Sequence, residues 1–133
     1  MSTDGHIIGE ESFGAIGGNN VRIHIPDPPK GHKKHADNSL IVIHNHPKNI
    51  PFSIADITVY LRNPSIHTAI VVCPNGKIYT VQNIRRGKDI ERLVKEVENM
   101  YTDYKQNSTT NSALTVVLQR LNKEGVIKYH ASN

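Results

Sequence analysis

A short apolar run that stops at two closely spaced histidines constrains this chain more than any other feature. The run at residues 40–43 is followed by His44, Asn45, His46 and Pro47. Four successive apolar residues with turn signals behind them are typical of a buried strand, and a proline does not continue the hydrogen-bonding ladder of a strand. We therefore predict a buried strand that carries two histidines at its end.

The residues behind this strand predict a helix and then a hairpin. Ser53 and Asp56 have the spacing of a helix-capping pair, and apolar residues recur at helical spacing after Ser53. Further along, the runs 67–73 and 77–81 flank an Asn-Gly dipeptide, which favours the tight turn between two antiparallel strands. A strand, a helix and a two-stranded hairpin are thus expected in this order.

Further elements are expected toward both ends of the chain, where apolar residues alternate or recur at helical spacing. These are strands near 6–16 and 21–25, a surface loop over 26–39, helices over about 88–106 and 111–124, and a last strand near 126–129. At this length we predict a single domain over residues 1–133. Its expected fold class is α/β, with a mixed, mostly antiparallel sheet and flanking helices.

Composition argues against several classes of function. Cys73 is the only cysteine, so an internal disulfide and a thiolate metal site are both excluded. The net charge is +4, but the basic residues are scattered and only 5% of residues are aromatic, which gives nucleic-acid binding weak support. No apolar run approaches the roughly 20 residues of a membrane span, and the first residues lack a secretion-signal pattern. We expect a cytoplasmic protein with no membrane partner.

The cysteine and the loop histidines are expected to have no chemical role. Cys73 lies inside an apolar run, as expected of a small buried core residue rather than a nucleophile. His32 and His35 lie in the basic loop before the first predicted buried strand, where solvation is the simpler interpretation.

Three residues around the first strand could bind a metal. His44 and His46 can present both imidazoles to one point, because residues two apart in a strand face the same side. Asp56, in the first turn of the next helix, can return across the short loop to add a carboxylate. Two imidazoles and one carboxylate with an open fourth position are typical of a catalytic zinc site. Taken separately, the histidines could be polar edge residues, and Ser53 and Asp56 could form only a capping box.

The order of these residues also resembles a known signature. The string His44-Asn45-His46-Pro47, a loop, and then Ser53 and Asp56 resembles the His-x-His, spacer, Ser-x-x-Asp signature of JAMM (JAB1/MPN/Mov34) metalloproteases, and its His-Asn-His-Pro form is similar to the RadC-like and phage-associated prokaryotic branches. The resemblance covers mainly residues 40–81, and the spacer is a residue shorter than the commonest form. It implies a cytidine-deaminase-like architecture with the metal at the edge of the sheet.

The resemblance also implies a reaction. In the family, zinc held by the three residues above polarises a carbonyl and activates water, and a serine in the position of Ser53 donates to the developing oxyanion. An early glutamate acts as general base, which would be Glu10 or Glu11; a second alignment places that glutamate before Met1 and leaves both as solvent-facing charges. The implied activity is zinc-dependent cleavage of a peptide or isopeptide bond in a protein or peptide substrate, such as a ubiquitin-like protein.

Two other functions stay open at this point. A RadC-like DNA-associated protein would carry a continuous basic face and bind DNA in a salt-sensitive manner. A non-catalytic, metal-binding interaction domain would lack the general base. Whether the chain is an enzyme therefore depends on whether Glu10 or Glu11 lies within hydrogen-bond reach of the metal-bound water.

Overall fold

The structure, a computed structural model, describes residues 27–28, 30–84 and 89–132. The predicted strands near 6–16 and 21–25 lie outside the described residues, as do Glu10 and Glu11. The described elements, in chain order, are β1 (Leu40–Asn45), α1 (Ile54–Arg62), β2 (Ile66–Val72), β3 (Ile78–Asn83), α2 (Ile90–Lys105), α3 (Thr110–Lys123) and β4 (Ile127–Ala131).

The described strands form one sheet in the order β1-β2-β3-β4. β1 and β2 are parallel and are joined by α1, whereas the other two pairings are antiparallel. The prediction of an α/β fold with a mixed sheet is therefore confirmed for this part of the chain. Because α1 carries the chain back between parallel strands, the C-terminal end of β1 and the N-terminus of α1 lie at the same end of the sheet.

The core lies between one face of the sheet and the described helices. Its fully or nearly fully buried members come from every described helix, from three of the described strands and from three connections between elements: Phe52, Ile57, Tyr60, Leu61, Ile66, Ala69, Val71, Cys73, Tyr79, Val81, Leu93, Val94, Val97, Val117, Leu118, Leu121, Val126 and Ile127. Side chains alternate between the two faces of a strand, so Ile43 and Ile78 lie on the opposite face, where they are 49% and 41% exposed. This packing fixes α1 against the sheet.

The C-terminal helices lie close to their predicted positions. α2 begins two residues later and ends one residue earlier than predicted, and α3 begins and ends one residue earlier. Their starts are set by caps, since the side chains of Asp89 and Thr109 accept hydrogen bonds from the backbone N–H groups of Arg92 and Ser112. Among the described residues, no helix combines the length and apolar character needed to cross a membrane.

The hairpin between β2 and β3 turns through residues 73–77. The N–H of Gly76 donates to the carbonyl of Cys73, and the N–H of Cys73 donates to the carbonyl of Lys77, each at 2.9 Å. Pro74 suits the position after Cys73 because its ring fixes φ near the value that a type I turn needs. Gly76 has a φ of +82°, which a residue without a Cβ adopts at little cost. The predicted hairpin is therefore present, with a loop longer than a two-residue turn.

The loop ahead of β1 departs from expectation at one side chain. Residues 30–39 form no helix or strand, and His32 is exposed as expected. His35, however, is buried, at 8% exposure. The backbone N–H of Asn38 donates to the carbonyl of Pro64 at 2.9 Å, which draws the end of the loop against the start of β2. The solvated interpretation is therefore wrong for His35.

Candidate metal centre

The end of β1 and the start of α1 bring the three predicted metal ligands together. His44 lies within β1, paired with Val71 of β2. His46 follows the last residue of β1, and its backbone N–H still donates to the carbonyl of Val72 at 3.0 Å. The extended backbone thus continues through both histidines, so their imidazoles lie on the same face of the strand. Asp56 reaches the same side from the first turn of α1.

A capping box fixes the carboxylate of Asp56. The hydroxyl of Ser53 accepts the N–H of Asp56 at 3.1 Å, and Oδ2 of Asp56 accepts the N–H of Ser53 at 3.0 Å. The same Oδ2 atom faces Nε2 of His46. Capping and metal binding were alternative interpretations of the sequence, but the geometry lets this carboxylate serve both.

Three donor atoms converge in front of this carboxylate. The Nε2 atoms of His44 and His46 are 2.9 Å apart, and Oδ2 of Asp56 lies 3.1 Å from the second and 3.5 Å from the first. The three side chains are only 8–10% exposed. Within the part of the chain that the structure describes, no other group of three His, Cys, Asp or Glu side chains converges closely enough to hold a metal ion.

The spacing and chemistry of this group fit a zinc ion. Tetrahedral zinc with bonds of about 2.0–2.1 Å holds its ligand atoms about 3.3 Å apart, and the observed separations of 2.9, 3.1 and 3.5 Å bracket that value. Two imidazoles and one carboxylate also leave a fourth position open, which distinguishes catalytic from structural zinc sites. The same donor atoms suit other divalent transition metals. The group could therefore hold a divalent metal ion, and zinc stays our prediction.

The second nitrogen of each imidazole has a different environment. Nδ1 of His46 lies 3.0 Å from the carbonyl oxygen of Ile50, so this nitrogen carries the proton and Nε2 is the atom left to bind a metal. Nδ1 of His44 is buried and has no hydrogen-bond partner among the described residues. A ligand histidine is usually held by such a partner, and within the described residues only His46 has one.

The charges at this site favour a proton where a metal could bind. Burial acts to raise the pKa of Asp56, but hydrogen bonds from His44 and His46 hold that pKa well below its usual range. Burial acts to lower the pKa of His46, yet the hydrogen bonds to Asp56 and to the carbonyl of Ile50 together raise it. Without a metal, Asp56 therefore stays ionised to a lower pH, and His46 keeps its proton to a higher pH, than an exposed residue of the same type.

Zinc binding should consequently weaken as the pH falls through the raised pKa of His46. Zinc must displace the proton from Nε2, whereas Asp56 is already ionised and releases none. We expect the affinity to fall by about tenfold per pH unit for each proton displaced, starting at a higher pH than for an exposed histidine. Titration against a competing chelator between about pH 6 and 8 measures this, and calorimetry in two buffers counts the protons. An affinity that does not change over this range would contradict the predicted ligation by His46.

The other predicted site residues have different outcomes. Ser53 lies at the N-cap of α1, next to the metal group. Glu10 and Glu11 lie outside the described residues, and no glutamate among the described residues belongs to the metal group. Two further contacts are not predicted from the sequence: the carbonyl of Ile50 holds Nδ1 of His46, and the thiol of Cys73 donates to the same carbonyl at 3.3 Å. A backbone carbonyl leaves no signature in a sequence.

Comparison with known proteins identifies no relative: the chain matches no protein-family model, no curated protein and no solved structure. The function must therefore be inferred from the chemistry of the converging side chains.

Proposed function

We propose that this chain is a zinc-dependent hydrolase of JAMM type that cleaves a peptide or isopeptide bond in a protein or peptide substrate, such as a ubiquitin-like protein. The observation that carries the proposal is the convergence of Nε2 of His44, Nε2 of His46 and Oδ2 of Asp56 within 3.5 Å of one another. The proposal includes a cytidine-deaminase-like JAMM architecture around the described sheet and a cytoplasmic location.

The order of elements around the site supports this assignment. The two histidines end a strand, a loop follows, and the serine and the aspartate open a helix that returns to a parallel strand. This is the arrangement that the resemblance to JAMM metalloproteases implies. A set of metal ligands drawn from a strand end and a helix start is rigid on both sides, which a catalytic site needs.

The chemistry combines the metal with groups of the chain itself. When bound, a zinc ion supplies a Lewis acid that polarises a carbonyl and lowers the pKa of water. His44, His46 and Asp56 would hold the ion. The hydroxyl of Ser53 uses a lone pair to accept the N–H of Asp56, which leaves its proton to donate to a carbonyl oxygen that gains negative charge.

The general base separates this proposal from a second candidate. We assign it to Glu10 or Glu11, the early glutamates that the resemblance to JAMM metalloproteases implies. The second candidate, a metal-binding interaction domain without hydrolytic activity, shares the group of His44, His46 and Asp56 but has no general base. The RadC-like, DNA-associated function stays a prediction from the sequence.

Cleavage assays on zinc-loaded protein distinguish the two candidates. Peptides and isopeptide-linked ubiquitin-like conjugates are incubated with the wild type and with Glu10→Gln, Glu11→Gln and His46→Ala variants, and new termini are identified by mass spectrometry. A hydrolase cleaves a substrate, loses cleavage with His46→Ala, and loses it with one of the two glutamine variants. Zinc binding without cleavage of any substrate would instead support the interaction domain.

Two substitutions of Ser53 separate its capping role from its role toward the substrate. Alanine and glycine both remove the hydroxyl, so we expect both variants to lose about 10²–10³-fold in turnover. Alanine at an N-cap costs about 0.5–2 kcal/mol of stability, whereas glycine costs only a few tenths. Turnover of a cleaved substrate and unfolding in urea measure the two effects.

The glycine variant decides between the roles. If Ser53→Gly keeps both stability and turnover, the hydroxyl does not act on the substrate and Ser53 is only a cap. If turnover falls equally in both variants while only alanine lowers stability, the two roles are distinct.

A further inference from the structure

We propose that the turn between β2 and β3 positions the metal ligand His46, acting through Cys73 and Asn49. The connection runs through the site loop, defined as residues 47–51, which joins β1 to the cap of α1. The inference rests on the proposed metal site but not on hydrolysis. Cys73 and Asn49 are positioning residues, because neither belongs to the metal group.

The first connection is a shared carbonyl. The oxygen of Ile50 lies 3.0 Å from Nδ1 of His46 and accepts the thiol of Cys73 at 3.3 Å. Burial raises the pKa of Cys73, so the thiol keeps its proton and remains a donor. The carbonyl that selects the tautomer of His46 thus also accepts a hydrogen bond from the first residue of the turn.

The second connection fixes the neighbouring residue of the site loop. The backbone N–H of Asn75, inside the turn, donates to Oδ1 of Asn49 at 3.0 Å. The turn is itself closed by two backbone hydrogen bonds between Cys73 and its partners Gly76 and Lys77. A closed turn therefore contacts two successive residues of the loop that orients His46.

These contacts matter because they act on the middle of the site loop. Pro47 and Pro51 limit the backbone at the two ends of the site loop. Between them, the carbonyl of Ile50 must accept the Nδ1 proton of His46, because this leaves Nε2 without a proton and able to bind the metal. A thiol is a weak hydrogen-bond donor, so we expect the side chain of Asn49 to contribute more to zinc affinity than Cys73 does. Partners of this kind typically change metal affinity by about 10–100-fold.

Matched variants test this connection. Asn49→Ala and Cys73→Ala each remove one contact, and the double variant removes both. Cys73→Ser keeps a donor and serves as the conservative rescue. Asn45→Ala is the control, because Asn45 is an exposed asparagine between the two histidines and contacts neither the site loop nor the turn in any described hydrogen bond. Zinc affinity and the imidazole ¹⁵N signals of metal-free protein at alkaline pH are measured for each.

We expect zinc affinity about tenfold weaker in the double alanine variant, a smaller loss in each single variant, and wild-type affinity in Cys73→Ser and Asn45→Ala. The ¹⁵N signals should show His46 with its proton on Nδ1 in the wild type and a mixture of tautomers in the double variant. Unchanged affinity and unchanged signals would overturn the positioning role while leaving the metal site intact. A wild type that binds no zinc would overturn the proposed function as well.

Discussion

Zinc binding should disappear when His44 and His46 are both replaced by alanine. Wild-type protein supplied with zinc is expected to hold one ion per chain, and the double variant none. The substitutions leave the carboxylate of Asp56 as the one remaining member of the group, and a single carboxylate cannot compete with water for zinc at micromolar concentration. Loss of a group that only supports a ligand costs 10–100-fold in affinity, so loss of two ligands should exceed about 100-fold.

Elemental analysis after gel filtration gives the stoichiometry, and a chelator competition gives the affinity. His130→Ala is the matched control, since His130 is an exposed histidine on β4, and β4 is separated from β1 by two strands. It should bind zinc as the wild type does. Zinc retained by the double variant would place the metal elsewhere in the chain. A wild type without zinc, even after supplementation, would remove the basis of the hydrolase proposal.

Replacing Phe52 with alanine should destabilise the fold by about 3–5 kcal/mol. Phe52 is fully buried and lies immediately before the cap of α1. Its ring packs edge-on against Tyr60, with the ring centroids 5.4 Å apart. It also occupies the position from which a hydrophobic residue packs on the first turns of a helix, where Ile57 is buried in the same core. Alanine would leave a cavity at the base of the helix that carries Asp56.

Urea unfolding of metal-free protein measures this loss. Ile43→Ala is the control, because Ile43 is large and apolar but 49% exposed on the other face of the sheet; its effect should be much smaller. We also expect Phe52→Ala to weaken zinc binding, since the start of α1 sets the position of Asp56. A destabilisation below about 1 kcal/mol would show that Phe52 does not anchor α1.

Most of the local structure could be predicted from the sequence, because local structure depends on short-range patterns of residues. Four apolar residues before His44 indicated β1, the spacing of Ser53 and Asp56 indicated the cap of α1, and an Asn-Gly dipeptide indicated the hairpin. Even the grouping of His44, His46 and Asp56 could be inferred, since strand periodicity and a short loop limit where these side chains can point.

Contacts between residues far apart in the chain required the tertiary structure. No local pattern indicates that Cys73 donates to the carbonyl of Ile50, that this carbonyl holds His46, or that His35 is buried although it lies in a basic loop.

There is a physical reason why the sequence predicts local structure but not the contacts between distant residues. Residue spacing along the chain sets helical and strand periodicity, and it decides which side chains share a face. The sequence by itself thus determined which side chains converge at the end of β1 and the start of α1. Only the folded chain decided how those side chains are held, because the partner of His46 is a backbone carbonyl, and any residue can supply one.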